Sequence, residues 1–132
     1  MTIATGNILS SLPGNAAQED ISALLATSNL RIERIVSHGH ASPEGFWYDQ
    51  DWAEWVIVVQ GSAELLFEGE SVPRVLKAGD YLAIAPHARH RVTATDPRAP
   101  TVWLPFQSDR CDHRGSLAAV ARNVDAAKFK RA

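Results

Sequence analysis

The sequence has few of the residues from which metal and redox sites are usually built. Its 132 residues include one cysteine, Cys111, and 5 histidines. A single cysteine excludes an intrachain disulfide framework and any zinc site that needs several thiolates. A metal or acid–base site in this chain must therefore combine a few histidines with carboxylates, amides or phenols.

An excess of basic charge and long apolar runs are also missing. The chain has 13 Lys and Arg against 15 Asp and Glu, a formal net charge of -2, whereas nucleic-acid-binding domains usually show a clear basic excess. No apolar run reaches the roughly 20 residues that a membrane helix needs. The N-terminus lacks the basic and apolar regions of a signal peptide. These absences predict a cytoplasmic protein with no nucleic-acid or membrane partner.

The spacing of apolar and turn-forming residues changes twice along the sequence, and we divide the chain into three predicted parts. These are an N-terminal arm over 1–29, an all-β domain over 30–106 and a tail over 107–132. In the arm, Ile21, Leu24 and Leu25 recur at helical spacing behind acidic residues, which predicts a short helix over 17–26.

The tail returns to helical spacing at its apolar positions. These are Leu117, Val120, Ala121 and Val124, which would lie on one face of a helix. We expect this helix to pack on the domain or to fray. The alternative is a basic amphipathic helix that binds a membrane or a partner.

The middle part shows short apolar runs separated by Gly-, Pro- and Asp-rich turns every 8–12 residues or so, a pattern typical of an all-β sandwich or barrel. The predicted strands are 30–37, 45–50, 54–60, 63–68, 73–78, 80–85, 90–95 and 101–106. Helical spacing fits none of these runs. The prediction is an all-β fold.

Two segments of this region carry motifs. In the first, which runs from Tyr48 to Gly61, six residues separate Glu54 from the glycine. The second runs from Gly79 through an apolar strand and Pro86 to His90. Together, in this order, they resemble the paired motifs of the cupin superfamily. The resemblance implies a double-stranded β-helix, or jelly-roll barrel, here with short N- and C-terminal helices.

The first motif departs from the usual cupin pattern. Tyr48-Asp49-Gln50 stands where His-x-His is expected, and the run FWYDQ is similar to a group of small single-domain bacterial cupins that share this replacement. In metal-binding cupins those two histidines, the following Glu and the His of the second motif hold a divalent ion. The resemblance therefore implies Tyr48, Gln50, Glu54 and His90 as the corresponding positions.

This donor set is weaker than the usual one, because an amide or a neutral phenol binds late transition metals less well than imidazole does. His38 and His40 share a face near the start of the barrel, and His40 could complete a metal site with Gln50, Glu54 and His90. The alternative is that both histidines are exposed or hydrogen-bonded in a polar loop. His87 and His113 are predicted to lie on the surface.

Glu54 and His90 each allow two interpretations. Glu54 has the parity of Val56 and Val58, which favours an inward side chain, although a residue at the start of a strand can also be exposed. His90 faces inward by the motif, or is a structural histidine bonded to backbone. An inward pair, with Tyr48, would provide groups for acid–base catalysis.

Aromatic residues are dense around the first motif. The cluster comprises Phe46, Trp47, Tyr48, Trp52 and Trp55. Alternate members are expected to build the core and a homodimer face, since Trp and Tyr are frequent in both. They could also line a pocket for a planar or sugar-like ligand, with Tyr48 and Gln50 as hydrogen-bonding partners.

Three functions follow for such a pocket. The first is a small-molecule-binding cupin with a weak or absent divalent-metal site, which acts as a sensor or binding module. The second is a metal-dependent oxygenase or isomerase acting on a small polar substrate. The third is metal-free acid–base catalysis by Glu54, His90 and Tyr48. The fold alone does not choose among them.

Overall fold

The computed structural model describes residues 1–108 and confirms the all-β prediction. Eight strands follow one another along the chain, and every pairing between them is antiparallel. They are β1 (Asp20–Ala26), β2 (Leu30–Ser37), β3 (Ala53–Gln60), β4 (Ser62–Phe67), β5 (Arg74–Lys77), β6 (Tyr81–Ile84), β7 (His90–Thr95) and β8 (Thr101–Ser108). The predicted C-terminal helix, Cys111 and His113 lie outside the described residues.

The strands form two sheets. One has five strands in the order β1-β2-β8-β3-β6, and the other has three in the order β5-β4-β7. Alternate residues of both sheets face inward and form the core, as expected for strands with one face packed. The core residues are Val56, Val58, Ala63, Leu65, Leu76, Leu82, Ile84 and Trp103.

The turn between β3 and β4 requires glycine. Gly61 has a φ of +85°, a backbone conformation that residues other than glycine rarely adopt. A Cβ at this position would lie 2.7 Å from the Cα of Thr101. The glycine of the first motif therefore allows the β3–β4 hairpin to pass close against the start of β8.

The predicted N-terminal helix over 17–26 is wrong. That segment contains β1, which pairs with β2 from Asp20 opposite Val36 to Ala26 opposite Arg31, with a bulge after Ala23. The helical spacing of three apolar residues was misleading, because the free edge of β2 offers backbone hydrogen bonds that outweigh a weak local preference. No helix within residues 1–108 is long and apolar enough to cross a membrane.

The predicted strand over 45–50 is also wrong. A turn closes at Phe46, whose N–H donates to the Pro43 carbonyl, and Gly45 has φ of +78°. The chain then meets β7 in a single bridge, between Tyr48 and His90. Seven of the eight predicted strands are present.

Candidate functional site

A cavity of about 130 Å³ lies between the two sheets, and we call it the barrel cavity. Its wall combines apolar residues with carboxylates, amides, one phenol and one imidazole. The polar lining residues are Glu19, Glu33, Tyr48, Gln50, Glu54, His90 and Gln107. All four positions that correspond to the cupin ligand set are therefore brought to one cavity.

Strand alternation places most of these groups. Glu54 precedes the inward Val56 by two residues on β3, and Gln107 has the same parity as Trp103 on β8. Because Glu54 lies directly opposite Gln107 in the β3–β8 register, their side chains meet on the inner face. The Gln107 amide donates to Oε1 of Glu54 over 3.2 Å.

Tyr48 and Gln50 reach the cavity from a segment that covers the open edge of β7. The N–H of Tyr48 donates to the His90 carbonyl over 2.7 Å, and the N–H of His90 donates back over 3.1 Å. Two residues later the Gln50 carbonyl accepts from the N–H of His87. Both side chains line the cavity, although the segment is not a strand.

His90 is the buried histidine of the site, with 5% of its surface exposed. Its ring lies between those of Tyr48 and Phe67, with centroid distances of 5.4 and 5.5 Å. Its Nδ1 is 2.8 Å from the Ala88 carbonyl oxygen. Since a carbonyl only accepts, Nδ1 carries the proton when the ring is neutral, and Nε2 keeps its lone pair.

Nε2 of His90 is directed toward Glu54. The distance to Oε2 of Glu54 is 3.9 Å, too long for a hydrogen bond. Burial raises the pKa of the Glu54 carboxyl and the nearby Glu33 carboxylate adds to the rise, while Gln107 and His90 oppose it. The inward prediction for Glu54 is confirmed, and the cavity holds an acid and a base that do not bond to each other.

Tyr48 completes this group. Burial raises the pKa of its phenol, and the negative charges of Glu19 and Glu54 raise it further. The hydroxyl therefore stays protonated at neutral pH and can donate a hydrogen bond to an oxygen in the cavity.

The structure does not bring His40 or His38 to the barrel cavity. Nδ1 of His40 accepts from the backbone N–H of His38 over 2.8 Å, and its Nε2 lies 2.7 Å from the Ala16 carbonyl. Nε2 of His38 lies 2.9 Å from the Pro13 carbonyl. Both rings instead fasten the N-terminal arm to the barrel, so the prediction of His40 as a metal ligand does not match its position.

Three cavity residues were missed by reading the motifs. Glu33 and Gln107 have the parity of inward apolar neighbours, Ile35 and Trp103, so strand alternation could have found them. Glu19 comes from the arm, and its Oε2 accepts from the Ser37 hydroxyl over 2.9 Å. No local pattern marks Glu19, because its position depends on how the arm folds back.

The residues between the inward ones form an outer surface. Arg89 and Arg91 flank the ring of Trp47, with guanidinium carbons 5.8 and 5.9 Å from its centroid. His87 is exposed and contacts Asp49. The prediction that His87 lies on the surface is confirmed.

Comparison with known proteins agrees with this geometry. The cupin domain family matches residues 33–106. The chain belongs to the cupin family. A solved structure from Ralstonia eutropha JMP134 is 47% identical to this cupin, with a TM-score of 0.79, and the match covers 82% of this chain and 100% of the other. That protein is provisionally named a mannose-6-phosphate isomerase.

More distant cupins share the fold. A cupin superfamily protein from Desulfitobacterium hafniense DCB-2 is 15% identical with a TM-score of 0.64, over 82% of this chain and 94% of the other. An RmlC-like cupin from Methanocaldococcus jannaschii, described with a double-stranded β-helix fold, is 16% identical with a TM-score of 0.58, over 74% and 85%. A search of curated proteins finds no match.

The cavity does not fit the usual cupin metal site. Of the four corresponding positions, only Glu54 and His90 carry strong donors, whereas Gln50 offers an amide and Tyr48 a phenol that burial keeps protonated. Within the described residues, no three His, Cys, Asp or Glu side chains stand close enough to hold a metal ion. The residues at these positions provide two strong donors, where the family site has four.

Proposed function

We propose that this cupin binds a small polar molecule in the barrel cavity, and that Glu54 and His90 transfer a proton to and from it. The observation that carries the proposal is the buried pair itself. Nε2 of His90 has no hydrogen-bond partner within residues 1–108, and it faces Oε2 of Glu54 across a gap of 3.9 Å. A ligand atom in the cavity would contact both groups.

The two groups suit opposite directions of proton transfer. The neutral His90 ring accepts a proton at Nε2, because Nδ1 is held by the Ala88 carbonyl. Burial raises the pKa of Glu54, so this carboxylate takes up a proton more readily than an exposed one and can return it to the ligand. Tyr48 would donate a hydrogen bond to a carbonyl or hydroxyl oxygen of the ligand.

Isomerisation is a reaction class that needs such a pair, since it moves a proton between neighbouring atoms. The provisional name of the Ralstonia protein, a mannose-6-phosphate isomerase, supports this class for a relative at 47% identity. The proposal uses no step at a metal ion. Glu54, His90 and Gln50 would hold a divalent ion only weakly, so we expect less than one ion per chain by elemental analysis.

Proton exchange with solvent tests the proposal. Hydroxy-carbonyl compounds, including neutral and amino sugars, are incubated with the protein in D₂O, and loss of the C–H signal next to the carbonyl is followed by NMR. We expect exchange that Glu54→Gln lowers by about 100-fold or more. Glu64→Gln, on the outer face of β4, is the matched control. Binding of a compound without proton exchange would indicate a binding module and contradict the proton-transfer role. A rate of exchange that Glu54→Gln leaves unchanged would contradict it too.

A homodimer remains a proposal as well. Ile21, Leu24 and Leu25 of β1 are each about half-exposed, at 54%, 48% and 45%. β1 is an edge strand of the five-stranded sheet, and a second copy would cover these apolar side chains. Sedimentation that finds only monomer at micromolar concentration would contradict the dimer.

A further inference from the structure

The charge of the cavity wall restricts what can enter. Among residues 1–108, three carboxylates line it, Glu19, Glu33 and Glu54, and no Lys or Arg of this part of the chain does. We infer that the ligand of the barrel cavity is an organic cation with several N–H donors, such as an amine or amidine, and that anions such as sugar phosphates are excluded. This inference rests on the proposed use of the cavity as the ligand site.

Two of the three carboxylates, Glu19 and Glu54, keep an oxygen for a ligand. Glu19 accepts from the Ser37 hydroxyl through Oε2, and Glu54 accepts from the Gln107 amide through Oε1. In both, the other oxygen has no hydrogen bond within residues 1–108. Because an ionised carboxylate only accepts, these groups can be satisfied by donors and not by the oxygens of a phosphate.

Within residues 1–108, the positive charge near the cavity does not balance the negative charge of the carboxylates on its wall. Arg31 forms an ion pair with Glu33 of the wall, with its Nε 3.3 Å from Oε2, but the Arg31 side chain is 50% exposed. In the described part of the chain, this solvent-screened ion pair leaves Glu19 and Glu54 with no Lys or Arg beside them on the cavity wall. An entering anion would meet like charges in a partly desolvated space, whereas a cation would relieve their mutual repulsion. Burial raises the pKa of Glu54 and the Glu33 carboxylate adds to this rise, in keeping with like charges on one wall.

The layout favours an extended cation over a metal ion. The carboxylates come from different elements, the N-terminal arm, β2 and β3, and within the described residues they do not gather with His90 into a metal-binding group. Tyr48 and Trp103 add aromatic surface to the same wall, which attracts organic cations. His90 is buried, and its Nε2, which has no hydrogen-bond partner within residues 1–108, provides a further acceptor directed into the cavity.

Three small ligands of one shape test the inference. Acetamidinium, acetamide and acetate share a four-heavy-atom planar skeleton and differ in charge. Each is titrated at constant ionic strength while the Glu54 carboxyl carbon and His90 Nε2 are followed by NMR, with inorganic phosphate as a second anion. We expect saturable shifts with acetamidinium, at an affinity at least about tenfold above that for acetamide or acetate.

Variants separate the cavity from general surface charge. Glu33→Gln should weaken acetamidinium binding severalfold, Arg31→Gln should leave it equal or stronger, and Glu64→Gln should leave it unchanged. Absence of saturable binding by acetamidinium, or equal or tighter binding of acetate or phosphate, would overturn the inference. If the protein catalyses proton exchange between an uncharged compound and solvent but does not bind acetamidinium, only the inference about the charge of the ligand is refuted. Acetamidinium binding without exchange would refute only the proton transfer.

Discussion

His40 and His90 of this cupin contact backbone carbonyls through opposite ring nitrogens. His40 accepts at Nδ1 from a backbone N–H and donates at Nε2 to a carbonyl, so both nitrogens serve the fold. His90 donates at Nδ1 to a carbonyl and leaves Nε2 toward the cavity. The difference teaches that the partner of one nitrogen decides whether the other is available for chemistry. Proximity to a motif does not decide it.

The largest expected effect separates the two histidines by activity. His90→Asn removes the free Nε2, and we expect it to lower solvent-proton exchange by about 100-fold or more, the usual contribution of a general base. His40→Asn should lower the same rate only modestly, because its ring does not line the cavity. An equal loss in both variants would show that the arm, and not His90, limits the reaction.

The next effect is on stability. His40→Ala loses two hydrogen bonds, a local one from the His38 N–H and one to the Ala16 carbonyl that fastens the arm. It should lower the free energy of unfolding by about 1–2 kcal/mol, at roughly 0.5–1.5 kcal/mol for each bond. His87→Ala is the control, since that ring is exposed beside Asp49. Urea denaturation measures both. No difference between them would mean that the arm adds nothing to the stability of the barrel.

A smaller effect appears in the pH dependence of stability. Because burial raises the pKa of Glu54 in the folded protein, the native state binds more protons than the unfolded state between the ordinary and the raised pKa. The contribution of Glu54 to stability is therefore full below its ordinary pKa and is lost as the pH rises through the folded one. Glu54→Gln removes this dependence, so the variant should gain stability relative to the parent on going from acid to neutral pH.

Urea denaturation across that range measures the pH effect, with Glu64→Gln as the control for loss of a carboxylate outside the cavity. Parallel stability curves for the parent and Glu54→Gln would contradict a buried carboxyl with a raised pKa.

Much of the barrel could be predicted from the sequence, because period-two apolar runs and Gly turns are local signals. The strands over 30–37 and 90–95 match the structure in full. The N-terminal segment could not be predicted in this way, since β1 forms by pairing with β2 and its own apolar residues stay half-exposed. Local spacing carries no information about such an edge.

The candidate site likewise includes residues that could be predicted from the sequence and one, His40, whose position could not. Glu54, His90, Tyr48 and Gln50 follow from motif positions, and all four line the cavity. The fate of His40 does not follow, because it depends on backbone groups 24 residues away in the arm. Hydrogen bonds over such separations are set by the folded chain as a whole.

The tautomers of the two rings test this account most directly. In ¹⁵N NMR of histidine-labelled protein, at a pH at which both rings are neutral, we expect His90 to carry its proton on Nδ1 with an unprotonated Nε2, and His40 to show the reverse. Addition of acetamidinium should move the His90 Nε2 resonance and leave that of His40 in place. A proton on Nε2 of neutral His90 would contradict the central claim that this nitrogen faces the cavity as a free base.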